Sequence, residues 1–388
     1  MANFGLEVDV QAVGDNSSSG DCIVIRFGNL NGPRSEWVVI LVDGGFADDG
    51  VAAIEFIRTN YKTNRIDLIV STHEDSDHIN GIKAIMEDDS VEIGGVWMHM
   101  PWYHNDKLNA SLSTGRFATN ATYLTEKQRA SLTTAQQVEA IACRRGIPLA
   151  EPFTGKTFGN NTGRIVVLGP SEMFYESLVD ELSEATGATN LIESAIGRLM
   201  KSAVAVATRL LERWSIETLT DPKAEVVSAW NCSSVILLIE ANTGSDFLPE
   251  ISRVLLTADA EVLSLTQAVE AAEHFGVDLR QCKMQQVPHH GSRRNVGPSI
   301  LTSLVGPRKQ YDDGRTHMNV IASCAKENPE MKHPNPRVTN AYWRRGAKVF
   351  VTAGTSMRFY YGSCPPRGGS PASPFPFHDG QVDAGDDE

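Results

Sequence analysis

Apolar residues alternate with polar ones over residues 6–13 and 22–27, and run almost unbroken over 37–42. The alternation predicts paired strands, and the Gly, Ser, Asn and Asp residues between them supply a turn. Helical spacing follows over 52–60, a β-prone apolar run over 65–72, and a helix over 79–86. Residues 91–98 read as another strand. The chain is polar and turn-rich over 101–134, helical over 135–145, and forms a short strand over 164–168 that Gly169 and Pro170 close. Helical spacing then dominates 172–184 and 190–214, where Leu191, Ile192, Ala195, Ile196, Leu199, Met200, Ala203, Val204 and Ala207 recur at intervals of three and four. Strands are predicted at 235–239, 253–257, 282–287, 348–353 and 357–361, with helices at 263–275 and 336–345.

Two runs of strands with helices between and after them predict an α/β fold of four layers, αββα, in which two sheets are faced by helices on their outer sides. The helical stretch over about 172–221 reads as an insertion into that frame. One domain is expected over 1–362, and residues 363–388, rich in Pro, Gly, Ser and Asp, are expected to form a disordered tail.

A chain of 388 residues, 41% hydrophobic and 21% charged, can bury a sizeable core. No apolar run reaches the roughly 18 residues that span a bilayer, and the start lacks a signal-peptide pattern. A cytoplasmic protein without membrane contact is expected. The six cysteines form no C-x-x-C pair, so neither a disulfide framework nor a zinc knuckle is indicated. The net charge of −13 argues against a surface that coats nucleic acid, though bound divalent ions would reverse the sign locally.

Candidate chemistry sits at three predicted strand ends. His73-Glu74-Asp75-Ser76-Asp77-His78 follows an apolar strand, where charge must be paired or bound to metal because desolvating it alone costs several kcal/mol. Imidazoles and carboxylates at these positions of a tight loop can converge on two ions, His73 and Asp75 on one, Asp77 and His78 on the other. Asp259 lies just past the second such strand, where a carboxylate can bridge two metals or cap the next helix. His289-His290-Gly291-Ser292 ends the third.

This ordered set resembles the metallo-β-lactamase fold, specifically its ComEC-like branch, which carries an H-x-D-x-D-H loop where other branches carry H-x-H-x-D-H. Val42-Asp43-Gly44-Gly45, Asn231-Cys232-Ser233-Ser234, Thr257-Ala258-Asp259, the His-His-Gly-Ser run and His333-Pro334-Asn335-Pro336 are similar too. The resemblance covers most of residues 6–362. It departs from the family at Ala258, where a glycine is usual. It departs also in lacking the histidine expected between the loop and the bridging aspartate; Asn231 falls there, and His99 and His104 are the other histidines in that interval. The helical insertion has no counterpart in the short family domain.

The resemblance implies a binuclear metallohydrolase. Two divalent ions, Mn²⁺ or Zn²⁺, would be held by His73 and Asp75 on one side and by Asp77, His78 and His289 on the other, with Asp259 bridging. His289 is the expected ligand because Ser292 follows it at the family's spacing, leaving His290 a catalytic or supporting role. Asp43 would accept a hydrogen bond from a ligating histidine, and His333 would protonate a leaving oxygen. Asn231, Ser292, Arg293 and Arg294 are candidate substrate contacts, guanidinium offering paired donors to phosphate. A phosphodiester, DNA or RNA, is the expected substrate. The alternatives are a hydrolase of small esters or cyclic nucleotides, and an inactive metal-binding sensor or scaffold. A homodimer or a multi-subunit, defence-type complex is the expected assembly, and in the scaffold reading the insertion and tail would reach the partner.

Overall fold

The computed structural model describes residues 3–14, 17–113, 125–184, 209–222, 229–327 and 333–383. Two seven-stranded sheets dominate it. The first runs in the order Met357–Gly362, Gly5–Val10, Ile23–Gly28, Trp37–Val42, Leu68–Val70, Val96–Trp97 and Leu149–Ala150. The second runs Ala347–Val351, Met318–Ala322, Met284–Gln286, Ile251–Leu256, Ile236–Asn242, Gly163–Gly169 and Thr157–Asn160. Each sheet is antiparallel at one end and parallel at the other.

Period-2 alternation explains how the layers are built. Ile23, Ile25 and Phe27 join Val38, Ile40 and Val42 in a core between the sheets, where they meet Ile165, Val167, Leu237 and Ile239. Val24, Val39 and Leu41 point the other way, into a core under the helices Ala47–Phe56, Ser76–Glu87 and Glu126–Arg145. Leu238, Leu255, Val320 and Val349 do the same on the outer side of the second sheet, beneath Val262–His274, Pro298–Leu304 and Pro336–Arg344. The expected four-layer α/β arrangement is present. Among the described residues, no helix is long and apolar enough to cross a membrane.

Three expectations are corrected. The polar stretch 101–134 is not all loop: helices occupy Asp106–Ser113 and Glu126–Arg145, the latter opened by a capping box between Thr125 and Gln128. The helix expected over 190–214 ends otherwise, since Arg209–Glu212 is a strand paired with Gly380–Asp383; residues 190–208 lie outside the described residues. The tail is also not disordered over 363–383. Its backbone finds partners: Phe375 N donates to Val349 O, and Trp343 Nε1 donates to Phe375 O at 2.9 Å. Arg367 reaches the buried Asp9 carboxylate at 2.6 Å, on the outer face of the first sheet, where Tyr61 Oη also donates to it at 2.6 Å. Charge pairs and two aromatic anchors order a segment whose composition alone favours disorder.

Candidate metal centre

The parallel strands of both sheets deliver their carboxyl ends to one place, as open α/β sheets do for ligand sites. Asp43 follows Trp37–Val42, His73 follows Leu68–Val70, Asp259 follows Ile251–Leu256, and His289 and His290 follow Met284–Gln286. His78 comes from the first turn of Ser76–Glu87, for which Asp75 is the N-cap residue. Four of these residues are held in the left-handed region or flank one that is: Asp43 (φ 56°), Ala258 (φ 45°), His289 (φ 45°) and His290 (φ 55°). Non-glycine residues rarely adopt it, and such strain concentrates at functional sites.

Asp259 is the hub. Its Oδ1 lies 3.8 Å from His78 Nε2 and 3.8 Å from His290 Nε2. Its Oδ2 lies 3.9 Å from His73 Nε2 and 3.5 Å from His289 Nε2. Asp77 joins His78 and His290 in a group whose ligand atoms are mutually within 4.8 Å. Consecutive left-handed conformations turn the chain so that adjacent histidines reach opposite oxygens of one carboxylate.

The hydrogen bonds fix which ring nitrogen is bare. Asp43 accepts from Thr72 N at 2.8 Å, from Thr72 Oγ1 at 2.6 Å and from His78 Nδ1 at 2.8 Å. The Thr72 hydroxyl proton is thereby committed, so at 3.1 Å from His73 Nδ1 its oxygen accepts from that ring. Asn295 Nδ2 donates to Asp259 O and Ala260 O, which turns Asn295 Oδ1 toward His289 Nδ1 at 3.0 Å. In the His73 and His78 rings Nδ1 carries the proton and Nε2 presents a lone pair, the arrangement of a metal-binding histidine, whereas His289 Nδ1 meets both Asn295 Oδ1 at 3.0 Å and Asn231 Nδ2 at 3.1 Å. His73 Nε2, His78 Nε2, both nitrogens of His290 and Asp259 Oδ1 are buried and have no hydrogen-bond partner among the described residues. Buried polar atoms in that state are expected where an ion belongs. The donor set therefore fits divalent metal.

The charges agree. Burial pushes the Asp259 carboxyl up, but His289, His290, His78 and His73 outweigh it and hold it far below the usual range. Burial disfavours charge on His78, yet Asp43 and Asp259 hold its imidazolium far above the ordinary value. For His73, burial and then the neighbouring His78 lower it. Protons and cations compete for these lone pairs.

Other expected residues fall at varied distances. Asp75 pairs with Lys127 Nζ at 3.2 Å and belongs to none of the close ligand groups. His290, rather than His289, stands with Asp77 and His78. Asn231 lies 3.1 Å from His289 Nδ1, on the side of the ring away from Asp259. Ser292 Oγ accepts from Arg294 N at 3.2 Å, which stabilises the turn after the histidines. Arg293 and Arg294 are half-buried just beyond it. The His333 ring stacks on His289 with centroids 5.8 Å apart. His99 stacks on Tyr175, and His104 pairs with Glu151 at 3.0 Å; neither stands in the hub. Sequence reasoning missed Asp21, which groups with Asp259 and His290 and again with Asp43 and His78. Its one signal was Gly20 before it, since a Cβ there would come 2.5 Å from Asp77 O.

Residues 20–137 match the model of the metallo-beta-lactamase superfamily. The α/β architecture with several sheets is consistent with that fold. Comparison with curated proteins found no match. Among solved structures, the chain is similar to the metallo-beta-lactamase fold protein YhfI from Bacillus subtilis (9% identity, 91% of this chain, 99% of that one, TM-score 0.40). It is also similar to a long form RNase Z from yeast (12% identity, 91% of this chain, 41% of that one, TM-score 0.39). A third is the metallo-beta-lactamase SMB-1 bound to 2-mercaptoethanesulfonate (10% identity, 76% and 88%, TM-score 0.32).

Proposed function

We propose that this protein is a binuclear metal-dependent hydrolase of the ComEC-like branch acting on phosphodiesters, DNA or RNA. One observation carries the reading: each oxygen of Asp259 faces two imidazole Nε2 atoms within 3.9 Å, and those of His73, His78 and His290 have no hydrogen-bond partner among the described residues. A carboxylate so placed would bridge two cations, one at each oxygen. His73 and His289 would hold one, with Asp75 beside them; Asp77, His78 and His290 would hold the other. His289 thus supplies the nitrogen that no histidine of the intervening chain provides. Mn²⁺ or Zn²⁺ suits this mixture of carboxylate and imidazole. When bound, such ions lower the pKa of a water to give a nucleophile at neutral pH and polarise the P–O group under attack.

The chain's own residues do the rest. Asp43, directly at His78 and through Thr72 at His73, keeps two rings in one tautomer, and Asn295 orients the His289 ring. Lys127 beside Asp75, and Arg293 and Arg294 after the histidine pair, supply cations for the non-bridging phosphate oxygens. His333, stacked on His289, delivers the proton to the leaving oxygen. Purified protein is incubated with Mn²⁺ or Zn²⁺ and labelled DNA, labelled RNA or a chromogenic phosphodiester. Cleavage of a nucleic acid, abolished by chelator and reduced about 10²–10⁴-fold in His333→Ala, is expected. Turnover of the small ester alone, or of nothing, contradicts the substrate assigned.

A further inference from the structure

Asp21 immediately precedes the strand Ile23–Gly28 and is buried. Its backbone is clamped to the centre: its N–H donates to Asp77 O at 3.3 Å, and its carbonyl accepts from Gly45 N at 2.8 Å. Oδ2 accepts from Gln286 Nε2 at 2.8 Å, while Oδ1 has no hydrogen-bond partner among the described residues. Gln286 is itself fixed, because its Oε1 accepts from Thr257 N at 3.0 Å and Ala258 N at 2.9 Å. The same amide that shapes the approach to Asp259 therefore holds Asp21 against it from the opposite sheet.

One Asp21 oxygen lies within 4.8 Å of ligand atoms of both Asp259 and His290. Among the described residues His290 has no hydrogen bond at either ring nitrogen, unlike the three other histidines of the hub. Among the described residues no arginine or lysine forms a salt bridge with Asp21, Asp43, Asp77 or Asp259, and Lys127, paired with Asp75, acts on Asp77 and Asp259 only at longer range, so that charge calls for a cation. We propose that Asp21 is a fifth protein ligand at the metal position faced by Asp259 Oδ1, joining Asp77, His78 and His290, and that it tunes this position for a hard ion of high coordination number. Three carboxylates and two imidazoles suit octahedral Mn²⁺ better than tetrahedral Zn²⁺, whose sites close at four ligands.

This inference rests on the metal centre proposed above, and the test separates the two. Full-length wild type, Asp21→Asn, Asp21→Ala and Asp259→Asn are stripped with chelator and titrated with Mn²⁺ and with Zn²⁺ by calorimetry. Circular dichroism reports folding of each. Asp21→Asn keeps an acceptor for Gln286, so it tests the ligand even if the alanine variant fails to fold. The expected result is at least a tenfold loss of Mn²⁺ affinity in the Asp21 variants with a smaller loss for Zn²⁺, and loss of both metals in Asp259→Asn. Unchanged Mn²⁺ affinity, or equal losses for the two metals, in Asp21→Asn while Asp259→Asn is defective overturns the role of Asp21 and leaves the centre standing. Failure of the wild type to bind either ion overturns both.

Discussion

Glu74 lies between His73 and Asp75 in the loop, yet its carboxyl is buried, with Oε1 lacking a hydrogen-bond partner among the described residues. Burial pushes it up to about 8, from an ordinary value of 4.5, and the charges of Asp75 and Glu151 add to the effect. The unfolded chain releases this proton near 4.5 and the folded chain near 8. Stability from this group is therefore complete below 4.5 and is lost progressively as pH rises to about 8. At about 1.36 kcal/mol per pH unit, the whole interval amounts to about 5 kcal/mol. Glu74→Gln keeps the shape and stays neutral, so it should remove this loss. Metal-free wild type and variant are unfolded with urea in chelator at half-unit steps from pH 4.5 to 9. The difference in unfolding free energy should grow in the variant's favour up to about pH 8 and stay level above it. A constant offset from the amide itself would shift every point equally and leave the slope intact. A difference that does not change with pH refutes a neutral, buried Glu74.

Other expectations follow from single contacts. Asp43→Ala removes the acceptor that orients His78 directly and His73 through Thr72; metal affinity should fall about 10–100-fold, read by competition with a chelating dye. His289→Ala and His290→Ala should each lose one ion of two by elemental analysis, because they face different oxygens of Asp259; retention of both ions in either would remove that histidine from the ligand set. Ala258→Gly relieves a left-handed alanine at φ 45° and should stabilise the protein by about 1 kcal/mol in urea denaturation. Arg344→Met strands the buried Glu212 carboxylate, now 2.5 Å from Arg344 Nη1, and should cost about 3–5 kcal/mol in the same assay.

The layers were legible because strand alternation sorts side chains without reference to the rest of the chain: Val24 and Ile25 could be assigned to opposite faces from sequence alone. The helix Glu126–Arg145 was read nine residues short because Thr, Gln and Arg dilute its apolar stripe, although Thr125 and Gln128 marked its start. The tail was misread for a different reason. Arg367 meets Asp9, and Val382 pairs with Leu210, across separations that no local pattern encodes. The site shows the same division. His73 and Asp259 stand at strand ends, and Asp77 and His78 in the helix that follows the first of them, where motif and periodicity both mark them. The split of His289 and His290 between two oxygens depends on two consecutive left-handed residues, which spacing cannot reveal. Asp21 was invisible because its partners, Gln286 and Asp259, come from the other sheet.

The central claim, that Asp259 bridges two cations, is tested most directly by counting them. Protein reconstituted with Mn²⁺ or Zn²⁺ at neutral pH, desalted, and measured by elemental analysis should retain two ions per chain. Asp259→Asn, with an unchanged circular dichroism spectrum, should retain fewer than one. Two ions retained by Asp259→Asn, or none by the wild type, would contradict it.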